Sequence, residues 1–264
     1  MRFRGVLHRL FFCPFLCPFL CPFLALAPSA CAPRLDLGSD LLWVARHETG
    51  DLSEWTAAGK GGSAADAPDT SIAVSTEHAH SGRYAVKLSN AAVSNYEEVR
   101  LWRTDQFPQA AYYSAWYYLP RAYQTSDDWT IMQLRAPLPG DPTTISLLLD
   151  VDLRSLPGGD LILSVYDHRP QYLRAATPDP AVLVPVGAWF QVQAYFDYST
   201  GADGRFALWL NGQLLYDLAR PFNLSGTVYF SVCSVSQALS PADSAIWVDD
   251  ASVSRTPVAL DATL

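Results

Sequence analysis

The chain has 264 residues, of which 50% are hydrophobic and 12% aromatic, enough apolar material for a buried core and too much for a disordered chain. Its 18 Lys+Arg against 26 Asp+Glu give a formal net charge of −8. Such an acidic surplus argues against nucleic acid and anionic membrane surfaces as general partners.

Arg2, Arg4 and Arg9 precede an apolar run from Leu10 to Ala27, and small residues lead up to Cys31. This is the pattern of an export signal over residues 1–30. The unit Cys-Pro-Phe-Leu occurs three times within it, at Cys13, Cys17 and Cys21. Its prolines argue against a membrane-spanning helix, because each removes a backbone donor and clashes with the preceding turn. Ser29 and Ala30 fit a bacterial lipoprotein site with lipidation at Cys31, whereas Pro28 stands where Leu is usual; ordinary cleavage near Ala30 is the alternative. Both readings place the protein outside the cytoplasm, secreted or as a cell-surface or outer-membrane lipoprotein. Its contact with the membrane would then run only through the lipid.

Without residues 1–30 the chain loses three Arg and no acid, leaving 15 Lys+Arg against 26 Asp+Glu, a net of about −11. Cys31 and Cys233 are then the remaining thiols, so no disulfide framework is available and the fold must rest on its core. Residues 31–42 read as a tether, 43–257 as one domain and 258–264 as a tail.

Along the domain, alternating apolar and polar residues predict strands over 71–75, 84–89, 98–103, 111–119, 130–135, 144–152, 160–166, 190–197, 205–210, 213–216, 227–235 and 245–253. Gly59-Lys-Gly-Gly62, Pro157-Gly-Gly-Asp160 and Asn211-Gly212 read as turns between them. Asn-Gly is a strong two-residue hairpin signal, since both positions must tolerate positive φ. A dozen short strands without intervening helices predict an all-β fold of two packed antiparallel sheets.

Five segments carry a resemblance: His47-Glu-Thr-Gly-Asp-Leu-Ser-Glu-Trp55, His80-Ser-Gly-Arg-Tyr-Ala-Val-Lys-Leu88, Tyr112-Tyr-Ser-Ala-Trp-Tyr-Tyr-Leu-Pro120, the hairpin at Asn211-Gly212, and Ala245-Ile-Trp-Val-Asp-Asp-Ala-Ser-Val253. Over residues 43–255 their order resembles the concanavalin A-like jelly roll of secreted polysaccharide lyases, laminin-G-like lectin domains and carbohydrate-binding modules. The resemblance implies a two-sheet antiparallel jelly-roll sandwich of the lectin/glucanase type. It also implies a structural Ca²⁺ held where the first and last strands meet a Ser-Gly loop. Glu48, Asp51, Asp249 and Asp250 supply the hard oxygen donors that Ca²⁺ prefers; the alternative is that the two aspartates cap a strand end and Glu48 is solvated.

A glycan would lie on the concave sheet. Arg100, Arg103, Gln133, Arg135, Tyr166, Gln191 and Gln193 are the expected ligand-binding residues, with His168 and Tyr195 beside them. Arg presents a planar fork that suits a uronate carboxylate or a sulfate, while Gln and Tyr suit sugar hydroxyls and aromatic faces stack on pyranose rings. The alternative for each arginine is an ordinary surface ion pair.

A lyase acting on an anionic polysaccharide must neutralise the uronate carboxylate, remove the neighbouring proton and protonate the leaving oxygen. Arg135 or Arg100 with Gln133 would do the first, and His168 or Tyr195 would carry protons. The chain departs from the alginate-lyase-like pattern in having Met132-Gln-Leu-Arg135 where Gln-Ile-His is usual, and it lacks a Tyr-Phe-Lys-x-Gly segment. His47, His78 and His80 read as surface or turn residues. No His-Glu-x-x-His, phosphate loop or Gly-x-Ser-x-Gly occurs. Asp150-Val-Asp152 has the one-face spacing of a retaining glycosidase pair but lacks the Glu-rich setting. The first reading is therefore an exported polysaccharide-binding jelly roll. A β-eliminating lyase on the same scaffold is the alternative, and a surface adhesion domain without a sugar site is the second alternative.

Overall fold

The computed structural model describes residues 40–264 apart from 91–96, 126, 139–140, 169–172, 200–201, 223, 225, 238 and 263, with the side chains of 138, 141–147 and 173 also outside the description. The export signal over 1–30 and the lipidation at Cys31 lie outside the described residues.

The first half of the chain folds as β1 (Leu41–Ala45), a one-turn helix α1 (Ser53–Thr56), β2 (Gly61–Ala65), β3 (Thr70–Ser75), β4 (Ala85–Asn90), β5 (Glu97–Thr104), β6 (Ala110–Tyr118), β7 (Gln124–Thr125) and β8 (Trp129–Leu138). The second half continues with β9 (Asp141–Ser155), β10 (Leu161–Asp167), β11 (Leu173–Arg174), β12 (Trp189–Asp197), β13 (Arg205–Leu210), β14 (Gln213–Ala219), β15 (Tyr229–Ser236), β16 (Leu239–Ser240) and β17 (Ser244–Ser254). One sheet has the order β14-β13-β12-β6-β17-β4-β3, with β1 also paired to β17; the other has the order β11-β10-β9-β8-β15-β5-β2. The neighbours pair antiparallel. Together they form the expected jelly-roll sandwich.

Alternation explains the layering. On β12 the residues Phe190, Val192, Ala194 and Phe196 are fully buried in the core, while their alternate neighbours face outward. Each large apolar side chain removed from water in this way contributes about 2 kcal/mol. Two tyrosines tie one sheet to the other across the core: the Tyr117 hydroxyl donates to the Ile131 carbonyl at 3.2 Å and the Tyr216 hydroxyl to the Leu163 carbonyl at 2.9 Å. Burial pushes both phenols above their ordinary pKa, so both stay protonated donors. Cys233 is a buried free thiol, raised above its ordinary value by desolvation, in keeping with a small apolar residue.

The Asn211-Gly212 hairpin forms as read, with φ of 48° and 74° at its two positions. The Gly-rich stretch at 59–62 is different. Gly61 and Gly62 belong to β2, and there the glycines serve close approach: a Cβ on Gly61 would meet the Trp102 carbonyl at 2.3 Å, and one on Gly62 the Trp102 ring at 2.4 Å. Strand β1 begins at Leu41, inside the expected tether. The expected tail of 258–264 opens on a buried residue, Val258 at 3% exposure. Among the described residues no helix is long and apolar enough to cross a membrane.

Candidate active site

The outward face of the seven-stranded sheet gathers the polar side chains that strand alternation sends away from the core. Across it runs a row in direct register: Trp102 on β5 opposite Ser231 on β15, Ser231 opposite Gln133 on β8, Gln133 opposite Asp150 on β9, and Asp150 opposite Tyr166 on β10. Directly opposed residues sit about 5 Å apart, so the row forms one continuous strip. Arg135 lies opposite Tyr229, and Arg100 shares its strand face with Trp102. Arg100, Trp102, Arg135, Tyr229 and Ser231 bound a cavity of about 220 Å³. A second cavity of about 170 Å³ is bounded by Asp127, Asp150, Asp152, Tyr166 and His168, among others.

His168 follows β10 and is placed by its backbone N–H, which donates to the Leu148 carbonyl at 3.1 Å. Its Nε2 lies 2.8 Å from Asp150 Oδ2, and its ring stands across that of Tyr166 at 4.7 Å between centroids. A carboxylate only accepts, so Nε2 carries the hydrogen and Nδ1 is the nitrogen that takes up a proton. Beyond Asp150, the Asp152 carboxyl accepts from Thr130 Oγ1 at 2.8 Å and from Arg174 at 3.3 Å. Its pKa is held well above the carboxylate range, first by desolvation and then by the Asp150 charge. The Thr130 hydrogen bond and the Arg154 charge oppose this shift, while Arg174 also contacts Asp128 and lies 2.6 Å from Ser164 Oγ. Gln133 Oε1, Asp150 Oδ1 and Ser231 Oγ are buried acceptors with no hydrogen-bond partner among the described residues. A strip of that kind calls for donors from outside the chain.

Of the expected site residues, the fold brings Arg100, Gln133, Arg135, Tyr166 and His168 onto this one face. Four others it places elsewhere. Arg103 points to the opposite side of β5, three residues and therefore an odd step from Arg100. At 6% exposure its Nη1 donates to the carbonyls of Trp55 at 3.0 Å and Ala57 at 2.8 Å, which seats α1 against the sandwich. Gln191, Gln193 and Tyr195 lie on the outward face of the other sheet. There Gln193 Oε1 accepts the Val258 N–H at 2.7 Å and Gln191 Nε2 reaches the Val258 carbonyl at 3.4 Å, so the chain's own C-terminal segment occupies the groups read as glycan-binding. Tyr195 stacks obliquely with Tyr112 at 4.9 Å and cannot exchange protons with His168 from the opposite side of the sandwich. Its hydroxyl is raised above the ordinary value by desolvation and the Asp197 charge.

The meeting of first strand, last strand and Ser-Gly loop does occur, with the carboxylates holding N–H groups. Glu48 Oε1 accepts the Arg83 and Tyr84 amides at 2.8 and 2.9 Å. Asp249 Oδ2 accepts those of His80 and Ser81 at 2.9 and 3.2 Å, and Asp250 takes the Ser81 hydroxyl at 2.9 Å and the His80 ring at 2.7 Å. Asp51 turns to its own segment, accepting from Thr49 and Ser53 at 2.9 Å each. N–H and O–H donors thus occupy most of the carboxylate oxygens expected to hold calcium, and among the described residues no group of three or more His, Cys, Asp or Glu is placed to hold a metal. His47 departs from its surface reading. It is fully buried, accepting from Trp55 Nε1 at 3.0 Å and facing Asp249 Oδ1 at 3.4 Å.

Sequence reasoning passed over Asp127, Asp128, Arg174, Tyr229 and Trp102 as site residues. Cross-strand register joins Trp102, Tyr229 and Arg174 to the strip, and the loop before β8 brings Asp127 and Asp128 to the second cavity; the alternation of Asp150 and Asp152 was the visible signal.

No curated protein sequence matches the chain. Among solved structures, the endo-β-1,4-glucuronan lyase of the fungus Trichoderma reesei superposes with a TM-score of 0.61 at 14% identity, over 82% of this chain and 96% of that one. The cellulose-induced protein Cip1 follows at 0.59 and 18%, over 82% and 98%, and an alginate lyase in complex with an alginate trisaccharide at 0.57 and 14%, over 81% and 98%. At such identities the likeness establishes the jelly-roll fold. The family model described as polysaccharide lyase matches residues 47–232, a span that takes in the arginine-lined cavity and most of both sheets, and the chain belongs to that polysaccharide lyase family.

Proposed function

We propose that this protein is a polysaccharide lyase that cleaves a uronate-containing polymer by β-elimination on the outward face of its seven-stranded sheet. One observation carries the reading: a carboxylate-binding group of Arg100, Arg135 and Gln133 shares a single strip with a histidine oriented by a carboxylate, Asp150 at 2.8 Å from His168 Nε2. Binding alone requires no such proton-transfer pair. Family membership supports this reading over glycan binding without turnover.

Arg135 and Arg100 neutralise the uronate carboxylate, and Gln133 hydrogen-bonds it. This stabilises the negative charge that builds up when the adjacent C–H is broken. His168 Nδ1 takes that proton. The electron pair forms the C4–C5 double bond and the C4–oxygen bond breaks. Tyr166, next to the His168 ring, returns a proton to the departing oxygen. Tyr195 has no part in this.

Incubating the protein with alginate, glucuronan, pectic and heparin-like polymers while following ultraviolet absorbance tests the proposal. Growth of the unsaturated-uronate signal, abolished in His168→Ala, is the expected result. Retention of a polymer without any such signal, in wild type and variant alike, would restore the binding reading. We further propose that the protein works outside the cytoplasm, on the strength of the Arg-flanked apolar run before Cys31; mass analysis of its mature N-terminus would show cleavage near Ala30 or a lipid on Cys31, and an intact Met1 would contradict it.

A further inference from the structure

The lining of the strip changes sign along its length. At the β5 end, the cavity bounded by Arg100, Trp102, Arg135, Tyr229 and Ser231 contains two guanidinium groups and no carboxylate in its wall. Glu98 touches both arginines from beside the cavity. At the β10 end, the wall carries four carboxylates, Asp127, Asp128, Asp150 and Asp152. The adjoining cavity of about 230 Å³ adds only Arg154 and Arg174, and both are engaged: Arg154 with Asp128 at 3.3 Å, Arg174 with Asp128 and with Asp152 at 3.3 Å.

A second observation concerns what that end asks of a ligand. Asp150 Oδ1, on a residue at 6% exposure, is an acceptor without a partner among the described residues. Acceptors of this kind are satisfied by hydroxyl or amide donors and repel a second carboxylate.

Resting on the lyase reading of the same groove, we infer that the arginine end takes one uronate and the aspartate end takes an uncharged sugar. The preferred substrate is then a heteropolymer in which uronates are separated by neutral units, and contiguous uronates are disfavoured by like charge at Asp127 and Asp150.

The test compares initial rates of unsaturated-uronate formation by the full protein on two homopolymers, polyglucuronate and polymannuronate, and on two alternating polymers, hyaluronan and unsulfated chondroitin. The expected result is at least a tenfold higher kcat/KM on one or both alternating polymers, and a narrowing of that ratio by threefold or more in Asp127→Asn. Equal or faster cleavage of the homopolymers overturns this inference and leaves the lyase reading standing. If no polymer yields unsaturated product the lyase reading fails, and affinity electrophoresis on the same four polymers then decides: selective retardation by the alternating pair supports the charge argument, while equal retardation, retardation by the homopolymers or none at all overturns it.

Discussion

Asp150 and His168 meet across the β9–β10 boundary with Oδ2 and Nε2 2.8 Å apart, joining a strand residue to one just beyond the next strand's end. Asp150 touches no reacting atom in the proposed mechanism; it fixes which imidazole nitrogen bears the hydrogen and where the other one points. Asp150→Asn is expected to lower kcat by roughly 10- to 100-fold with KM within about twofold and an unchanged thermal midpoint. A change confined to KM, or one matched by lost stability, would assign Asp150 a merely structural role.

Tyr166→Phe keeps the ring against His168 and removes the hydroxyl. Loss of the proton donor is expected to reduce kcat by about 10² to 10⁴, while Tyr195→Phe, on the far sheet, leaves the rate unaltered. Equal effects from the two substitutions would contradict the assignment of the proton carrier to this face.

Asp152 makes stability depend on pH. Burial raises its folded-state pKa above the ordinary 3.8, so the folded protein binds that proton more tightly than the unfolded chain. The resulting contribution is complete below about pH 4 and is lost as pH rises through the raised value. Asp152→Asn mimics the neutral form at every pH. Urea midpoints should therefore fall less from pH 4 to pH 8 in the variant than in wild type; parallel curves would show that Asp152 ionises normally.

Gln193→Ala leaves the Val258 N–H without its acceptor on a buried segment. A cost of about 1–3 kcal/mol is expected, with faster proteolysis after Ser254 and unchanged turnover per folded molecule. An effect on turnover at constant folded fraction would return the glutamine to the ligand-binding set.

Gly82 adopts φ of 59°, and a Cβ there would lie 2.3 Å from the Glu48 carboxyl carbon. Gly82→Ala should destabilise by about 1–3 kcal/mol through strain and displacement of Glu48 from the amides it caps. Calorimetry showing a midpoint equal to wild type would refute this.

Strand periodicity carried nearly all of the architecture: each of the twelve strands expected between 71 and 253 exists, and Asn211-Gly212 turns as its chemistry demands. Alternation also assigned faces correctly within β12. What it could not assign was which sheet a strand joins. Gln191 and Gln133 both sit in strand-like alternation in the sequence, yet β12 pairs with β6 and β8 with β15, and that choice is made by long-range pairing. Arg103 was misread for a local reason, since an odd step from Arg100 already sends it inward. The glycines at 61 and 62 were read as a turn because nothing nearby reveals an indole lying against them.

That indole has a consequence for the protein's tolerance to change. Trp102 forms one wall of the arginine-lined end and rests on bare backbone, because a methyl on Gly62 would meet its Cζ2 at 2.4 Å. Any side chain at position 62 would therefore press the indole toward the arginine-lined cavity from behind and narrow it, leaving His168 and Tyr166 untouched.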